Sequence, residues 1–159
     1  MFTPTVPSCS LLENLWVLEK QSGICLFEKS FVENQSEKIS VDLASAFLTA
    51  ISSFVDETFS DGIQSIDFQK RKIHFRFRGR LLFIFIFSKS VKSAHRAKEK
   101  LMNRIIDKFY EQYQHILDEQ EVLSNISQFS SFSDKLEEIL ESKSPLDHLL
   151  TFLYALNPN

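Results

Sequence analysis

The apolar residues of this chain recur at every second position in some stretches and at every third or fourth in others. Residues 72–78 alternate apolar side chains with Arg and His, which predicts a strand with one buried face. Residues 81–87 are apolar throughout, which is typical of a strand buried on both faces. Two more apolar runs flank Gln21-Ser22-Gly23 and predict a hairpin. The predicted strands are 11–19, 24–31, 63–69, 72–78 and 81–87.

A helix is predicted over about 41–59, capped by Ser40 or Asp42 and ended by Asp61-Gly62. It has two apolar stripes side by side, so we expect it to bury against more than one neighbour. The first stripe is Leu43, Phe47, Ala50 and Phe54, and the second is Ala44, Leu48, Ile51, Val55 and Phe59. A longer helix is predicted from about 90 to 117, and one or two more in 118–159.

This order, β-β-α-β-β-β-α, predicts an α+β fold with a five-stranded antiparallel sheet. The two joins within 63–87 are short enough for antiparallel hairpins. The fifth strand is expected to have a neighbour on both sides because it is apolar on both faces, so the first strand should pair with it. The predicted strand order is therefore 2-1-5-4-3, with strands two and three at the edges.

The length of 159 residues is that of one domain that can build its own core, and 43% hydrophobic with 25% charged residues is ordinary for a globular protein. We divide it into a lead at 1–10, a domain at 11–117 and an acidic helical extension at 118–159, packed on or beside the domain. The net charge of −3 is unevenly spread: residues 1–117 hold 16 of the 18 Lys and Arg and 13 of the 21 Asp and Glu. The two parts therefore attract each other or serve different partners.

The simplest location for this chain is the cytoplasm. Cys9 and Cys25 alone do not make a disulfide framework, which favours a reducing compartment. The longest apolar run, 81–87, is far shorter than the roughly 20 residues of a spanning helix. Residues 1–10 lack the features of a signal peptide, and the end of the chain has no lipidation motif. We therefore expect membrane contact, if any, to be peripheral and to anionic lipid.

The chain resembles the longin fold, which is related to the roadblock and profilin-like group. The resemblance covers about residues 11–117, and its segments are Leu15-Trp16-Val17-Leu18, Gly23-Ile24-Cys25-Leu26-Phe27, Asp42 to Phe54, and Leu81 to Phe87. The chain looks like the stand-alone longin-like proteins of Asgard archaea. It is similar in outline to the small chains of vesicle-coat adaptors and to subunits of tethering complexes. The helix before the first strand that is usual in the roadblock branch has no room here, because of Pro4 and Pro7.

Neither catalysis nor a bound cofactor is expected. The histidines His74, His95, His115 and His148 have no Cys or Asp partner at the spacing of a triad or metal site. Three glycines do not supply a phosphate-binding loop of the usual kind. We therefore expect no enzymatic activity, no metal and no cofactor.

The most prominent charge feature is a basic hairpin, formed by Lys70, Arg71, Lys72, Arg76, Arg78 and Arg80. Residues two apart share a face of a strand, so Arg76 and Arg78 project together with His74. One interpretation is a patch for an anionic partner, such as an acidic protein surface or anionic lipid. A second is a hairpin whose cations prevent aggregation of a Phe-rich sheet, and a third is pairing with the acidic extension. We do not expect a nucleic-acid partner, because the chain is acidic overall.

The resemblance also implies a protein interface. In longin and roadblock proteins the first long helix and the adjacent edge strand commonly form the contact between two chains. The corresponding residues here are Ala44, Leu48, Ile51, Val55 and Phe59 of the helix with Ile63, Ser65 and Asp67 of the strand. The alternative is that the second stripe is covered within the chain.

The function predicted from these observations is that of a scaffold or regulatory subunit. It would associate with itself or a related longin or roadblock chain, and bind a small Ras-like GTPase or a membrane-traffic-type complex. The alternative is a small-molecule-sensing domain of similar element order, which requires a cavity of over about 300 Å³ among the phenylalanines. Those residues are Phe75, Phe77, Phe83, Phe85 and Phe87, which as a set are more typical of core.

Overall fold

The computed structural model describes residues 12–32, 40–59, 62–89, 95–119, 124–141 and 156. Within these ranges lie five strands: β1 (Leu12–Glu19), β2 (Cys25–Ser30), β3 (Ser65–Asp67), β4 (Arg71–Arg78) and β5 (Leu81–Ser88). The helices are α1 (Val41–Phe59), α2 (His95–Leu117) and α3 (Phe132–Glu141), and a 3₁₀-helix at Ile126–Ser131 precedes α3. The predicted lead at 1–10, the predicted start of the second helix at 90–94, and the predicted extension beyond 141, apart from residue 156, fall outside the described residues.

The five strands form one antiparallel sheet in the order β2-β1-β5-β4-β3, which confirms the predicted order. Ile84 in the middle of β5 lies opposite Trp16 of β1 on one side and Phe75 of β4 on the other. All seven apolar residues of β5 are buried. A strand with apolar side chains on both faces stabilises the sheet best at its centre, where both faces are covered.

β3 is shorter than predicted. It spans three residues, Ser65–Asp67, whereas the predicted strand was 63–69. The Phe68 N–H donates to the Arg71 carbonyl at 2.8 Å and turns the chain directly into β4. At the other end the Phe75 N–H donates to the carbonyl of Gln64 at 2.9 Å, just before the start of β3. β3 therefore pairs only with residues 72–74 of β4.

One face of the sheet is covered by α2, α3 and the 3₁₀-helix. On this face Phe83 of β5 makes an edge-to-face contact with Phe109 of α2, with ring centroids 5.5 Å apart. Phe109 in turn contacts Phe132 at the start of α3 at 5.0 Å. Burying a Phe side chain stabilises a fold by about 1.5–3 kcal/mol, so this aromatic cluster is a main source of stability. Other buried members are Leu15, Val17, Phe27, Phe85, Phe87, Met102, Ile105, Tyr113, Phe129, Leu136 and Ile139.

The 3₁₀-helix and α3 are part of this core although they belong to the predicted extension. Phe129 and Phe132 are fully buried. The Tyr113 hydroxyl of α2 donates to the Phe129 carbonyl at 3.2 Å and lies 2.7 Å from the Ser131 hydroxyl. At the sheet edge Lys29 of β2 donates to Ser133 at 2.9 Å and pairs with Glu137 at 3.1 Å. These contacts attach residues 126–141 to both α2 and β2.

The opposite face of the sheet is covered by α1. Its core is smaller and consists of Trp16, Leu18, Phe75, Leu82, Ile84 and Ile86 from the sheet with Leu48 from the helix. Ala44, Ile63, Ile66 and Ile73 are partly buried around it. The α1 face thus receives one fully buried large side chain from its helix, whereas the α2 face receives several.

Candidate protein-interaction surface

The orientation of α1 differs from the prediction for its second stripe. Leu48 is only 2% exposed and packs in the core of the α1 face, and Ser45 and Ser52 on the same side of the helix are also buried. Ala44, Ile51 and Val55 are half-buried. The prediction that this stripe is open to a partner is therefore wrong for Leu48. Small side chains on this side let the helix approach a sheet surface that Trp16 and Phe75 already fill.

The first stripe of α1 faces solvent. Leu43 is 74% exposed, Phe47 58% and Phe54 59%. Ala46 and Ala50 lie among them and are exposed as well. These residues are three or four positions apart, so their side chains form one continuous apolar strip along the helix. Contiguous exposed apolar surface of this kind marks an interaction site more often than single exposed apolar residues do.

The interface residues predicted at the edge strand differ in their exposure to solvent. Ile63 is partly buried against the core of the α1 face, and Ser65 is half-buried. Asp67 is exposed and forms ion pairs with Lys89 at 2.9 Å and with Lys72 at 3.6 Å. These two cations lower the pKa of the Asp67 carboxyl group. Phe68, directly after β3, is 47% exposed. Phe59 is the last residue of α1, and its side chain lies outside the described part of the molecule.

The cations of the basic hairpin are paired with acids from the body of the fold. Arg71 pairs with Glu13 of β1 at 2.5 Å. On the α2 face Arg76 pairs with Glu99 at 2.5 Å and Arg78 with Asp107 at 2.5 Å. The Arg78 guanidinium also lies 4.5 Å from the ring centre of Tyr110, whose hydroxyl donates to the Arg78 carbonyl.

Arg80 is held at the other end of the hairpin. It pairs with the buried carboxylate of Glu19 at 3.7 Å and donates to the carbonyls of Leu117 and Glu119 at 3.4 and 3.3 Å. Burial alone would raise the pKa of Glu19, but hydrogen bonds from Ser22 and the charge of Arg80 hold that pKa below its ordinary value. Lys70 is exposed, and its backbone carbonyl accepts a hydrogen bond from the backbone N–H of Lys89.

The hairpin cations therefore act mainly within the fold. Their ion-pair partners among the described residues are Glu13, Glu19, Asp67, Glu99 and Asp107, all before residue 118. The predicted extension contributes a backbone contact instead, from the carbonyl of Glu119 to Arg80. A patch available to an anionic partner needs cations without intramolecular partners. Among the described residues Arg96, Lys100 and Arg104 of α2 meet this condition and share one exposed face at a spacing of four. The spacing of these three residues is visible in the sequence, but which cations are paired is known only from the structure.

His74 is the one buried titratable group of β4. It is 4% exposed, its ring contacts Phe87 edge-on at 5.6 Å, and its Nε2 has no hydrogen-bond partner. Burial, and then the charges of Arg76, Lys72 and Lys98, lower its pKa to about 4, while Glu99 opposes this shift. At neutral pH His74 is therefore an uncharged core side chain and does not extend the cationic face of Arg76.

The phenylalanines of the sheet are packed core rather than the lining of a cavity. Phe75, Phe83, Phe85 and Phe87 are at most 2% exposed and contact each other or the helices, while Phe77 is 39% exposed with Lys20 5.3 Å from its ring centre. The larger spaces found between described residues are open surface grooves, such as one of about 830 Å³ beside β2. This arrangement does not favour the small-molecule-sensing alternative.

Within the described residues no group of three or more His, Cys, Asp or Glu is arranged to hold a metal ion. No helix in that part of the chain is long and apolar enough to cross a membrane. The Cys25 thiol is partly buried, and burial together with nearby Glu28 raises its pKa to about 12, so it is not an activated nucleophile.

No protein-family model matches the sequence, and no curated protein matches it either. Among solved structures, MglB from Myxococcus xanthus is 13% identical with a TM-score of 0.49, and the match covers 65% of this chain and 86% of that one. The gliding protein MglB from Thermus thermophilus is 7% identical with a TM-score of 0.43, over 58% of this chain and 80% of that one. The strand order is the one predicted from the apolar pattern of the sequence. The described residues form an α+β fold around one five-stranded antiparallel sheet.

Proposed function

We propose that this chain is a non-enzymatic interaction module that associates with a second longin or roadblock chain and binds a small Ras-like GTPase. The observation that carries the proposal is the apolar strip of α1, in which Leu43 is 74% exposed and Phe47 58%. A helix of 19 residues is about 28 Å long, so this strip offers a long contact surface.

The first contact is with a second chain, through α1 and β3. Within the described part of the chain β3 is an edge strand, and an edge strand presents backbone groups on its outer side to a neighbour. A stable interface buries roughly 800 Å² on each partner, which the α1 strip together with Phe68 and the β3 edge is suited to supply. The resemblance to longin and roadblock proteins supports the same pair of elements.

Self-association is tested by the mass of the protein in solution at tens of micromolar. We expect a dimer for the wild type and a monomer for Phe47→Glu, because a charge buried without a partner destabilises an interface by several kcal/mol. Ile126→Glu is the matched control, since Ile126 is also partly exposed but lies on the 3₁₀-helix. A wild-type protein that is monomeric at this concentration rules out the homodimer and leaves pairing with a related chain to be measured by mixing.

The second contact is with the GTPase, and it requires no chemistry from this chain. A regulator must bind the GTP and GDP forms with different affinity, because equal affinity for both states shifts nothing. A scaffold binds both forms alike. In either role we place the protein in the cytoplasm or at the periphery of membranes, where such assemblies work.

The test is a calorimetric titration of the wild type and of Phe47→Glu with Ras-like GTPases from the same source, each loaded with GDP or a non-hydrolysable GTP analogue. We expect saturable binding by the wild type, and a ratio of the two affinities that separates regulation from scaffolding. If the folded protein binds none of these GTPases in either state, the proposed GTPase partner is wrong.

A further inference from the structure

β2 lies at the edge of the sheet opposite β3, and among the described residues β1 is its one strand neighbour. The Phe31 N–H donates to the Glu13 carbonyl at 2.8 Å, and Lys29 and Phe27 lie opposite Leu15 and Val17 of β1. In an antiparallel ladder alternate residues point toward the neighbour, so the backbone groups of Glu28 and Ser30 point away from β1. No strand of the described residues pairs with β2 on that side.

A groove of about 830 Å³ runs along this edge. Residues 25–29 of β2 form its floor, Asp42 of α1 lies on one side, and Ile126, Ser127, Ser130 and Ser133 lie on the other. It is an open groove at the surface rather than an enclosed cavity. Neighbouring strands of a sheet lie about 4.8 Å apart, so a strand added to the outer side of β2 would lie in this groove.

The two sides of the groove differ in chemistry. Glu28 lies opposite Trp16, so its side chain is on the α1 side of the sheet together with Asp42. Both carboxylates are exposed, both raise the pKa of the Cys25 thiol, and neither is in an ion pair among the described residues. On the other side Lys29 is already held by Glu137 and Ser133, and Ile126 is partly exposed beside serine hydroxyls.

We propose that the groove beside β2 binds an extended peptide segment of a partner protein, which adds to the sheet as a sixth strand and places a Lys or Arg against Glu28 and Asp42. Successive side chains of a strand point to opposite faces, so the segment alternates cationic residues toward α1 with small or apolar residues toward Ile126. Backbone hydrogen bonds provide affinity in strand addition, and alternate side chains provide specificity. The site is separate from the α1 strip and β3, and it does not depend on the function proposed above.

The test uses the full chain and a synthetic capped peptide, Ser-Val-Lys-Val-Lys-Val-Ser, with fluorescence anisotropy at low salt as the readout. We expect saturable binding that weakens about tenfold in a Glu28→Gln/Asp42→Asn variant, because cross-strand opposite charges each contribute a fraction of the free energy of a tenfold change. The matched control is Asp56→Asn/Glu57→Gln, which makes the same change of charge at the other end of α1. The control variant and Phe47→Glu should bind as the wild type does.

The position of the peptide is read from backbone amide exchange. We expect the amide protons of Glu28 and Ser30 to become protected on binding, while those of Phe27 and Lys29 change little because they already bond to β1. A peptide in which Glu replaces both Lys residues should bind at least tenfold more weakly. Absence of binding, equal loss in the control variant, or protection that maps to α1 instead of β2 each overturns the proposal.

Discussion

Phe47 and Leu48 are consecutive residues of α1, yet Leu48 is 2% exposed in the core and Phe47 is 58% exposed. The helix therefore has two apolar sides in different surroundings: one side packs on the sheet, and the other is exposed. The bulkier side, with its phenylalanines, is the one that faces solvent.

This difference predicts opposite outcomes for two adjacent substitutions. Leu48→Glu should lower the free energy of unfolding by several kcal/mol, because the new carboxylate is buried among Trp16, Phe75 and Ile84 without a partner. Phe47→Glu should change it by no more than about 0.5 kcal/mol. Urea unfolding of both variants at a concentration where the protein is monomeric measures this. Similar losses in the two variants would mean that α1 has another orientation.

The same helix shows where sequence reasoning succeeds and where it stops. The order of the strands was predictable because 81–87 is apolar on both faces, which only a central strand requires. The rotation of α1 was not, because both of its stripes are apolar and hydrophobicity alone does not choose between them. The side of α1 that packs on the sheet depends on the space that Trp16 and Phe75 leave free. This space suits the side of the helix that carries the small residues Ser45 and Ser52. That information lies in packing between distant segments.

The basic hairpin is a second case. Its alternation was predictable, and Arg76 and Arg78 do share a face, but their partners Glu99 and Asp107 come from α2. The alternation of residues along β4 does not specify which side of α2, a helix distant in sequence, packs over the strand. The cations of α2 that stay unpaired among the described residues, Arg96, Lys100 and Arg104, emerge only after the pairs are known.

The pair of Arg76 and Glu99 should stabilise the fold measurably. Both side chains are about one-quarter to one-third exposed, so solvent screens their interaction only in part. A double-mutant cycle with Arg76→Gln and Glu99→Gln should give a coupling of about 0.5–1 kcal/mol at low salt. The more exposed pair of Arg78 and Asp107 should give less, and 1 M NaCl should reduce both. A coupling of zero for both pairs, or a loss in the unpaired control Arg104→Gln as large as in Arg76→Gln, would contradict this assignment.

Phe132 should be essential for the stability of the whole fold. It is fully buried and contacts Phe27 of β2 and Phe109 of α2, so α3 is part of the hydrophobic core. Phe132→Ala should cost about 3–5 kcal/mol, through lost burial and the cavity left behind. The exposed Phe68 provides the control, since Phe68→Ala should have little effect on the monomer. Unfolding of Phe132→Ala in two separate transitions would show that residues 126–141 are an independent unit.

His74 makes the stability of the protein depend on pH in a defined window. Its pKa is lowered to about 4 in the folded state, against about 6.5 in an unfolded chain. Between these values the unfolded state binds a proton that the folded state excludes, so this contribution to the free energy of unfolding falls as the pH is lowered from about 6.5 to about 4. Above the upper value the imidazole is neutral in both states and the contribution is constant. The largest possible effect is about 3 kcal/mol, from roughly 1.4 kcal/mol for each pKa unit.

Replacing His74 by Phe should remove this dependence, because Phe keeps an aromatic ring against Phe87 and has no proton to bind. Carboxylates also contribute to acid destabilisation, so the informative quantity is the difference between the wild type and His74→Phe, measured by urea unfolding at pH 7, 6, 5 and 4.5. We expect the variant to gain stability relative to the wild type steadily as the pH falls through this range. Parallel curves for the wild type and His74→Phe would show that His74 takes up a proton as readily in the folded protein as in the unfolded chain, and that its burial next to Arg76 and Lys72 does not control its charge.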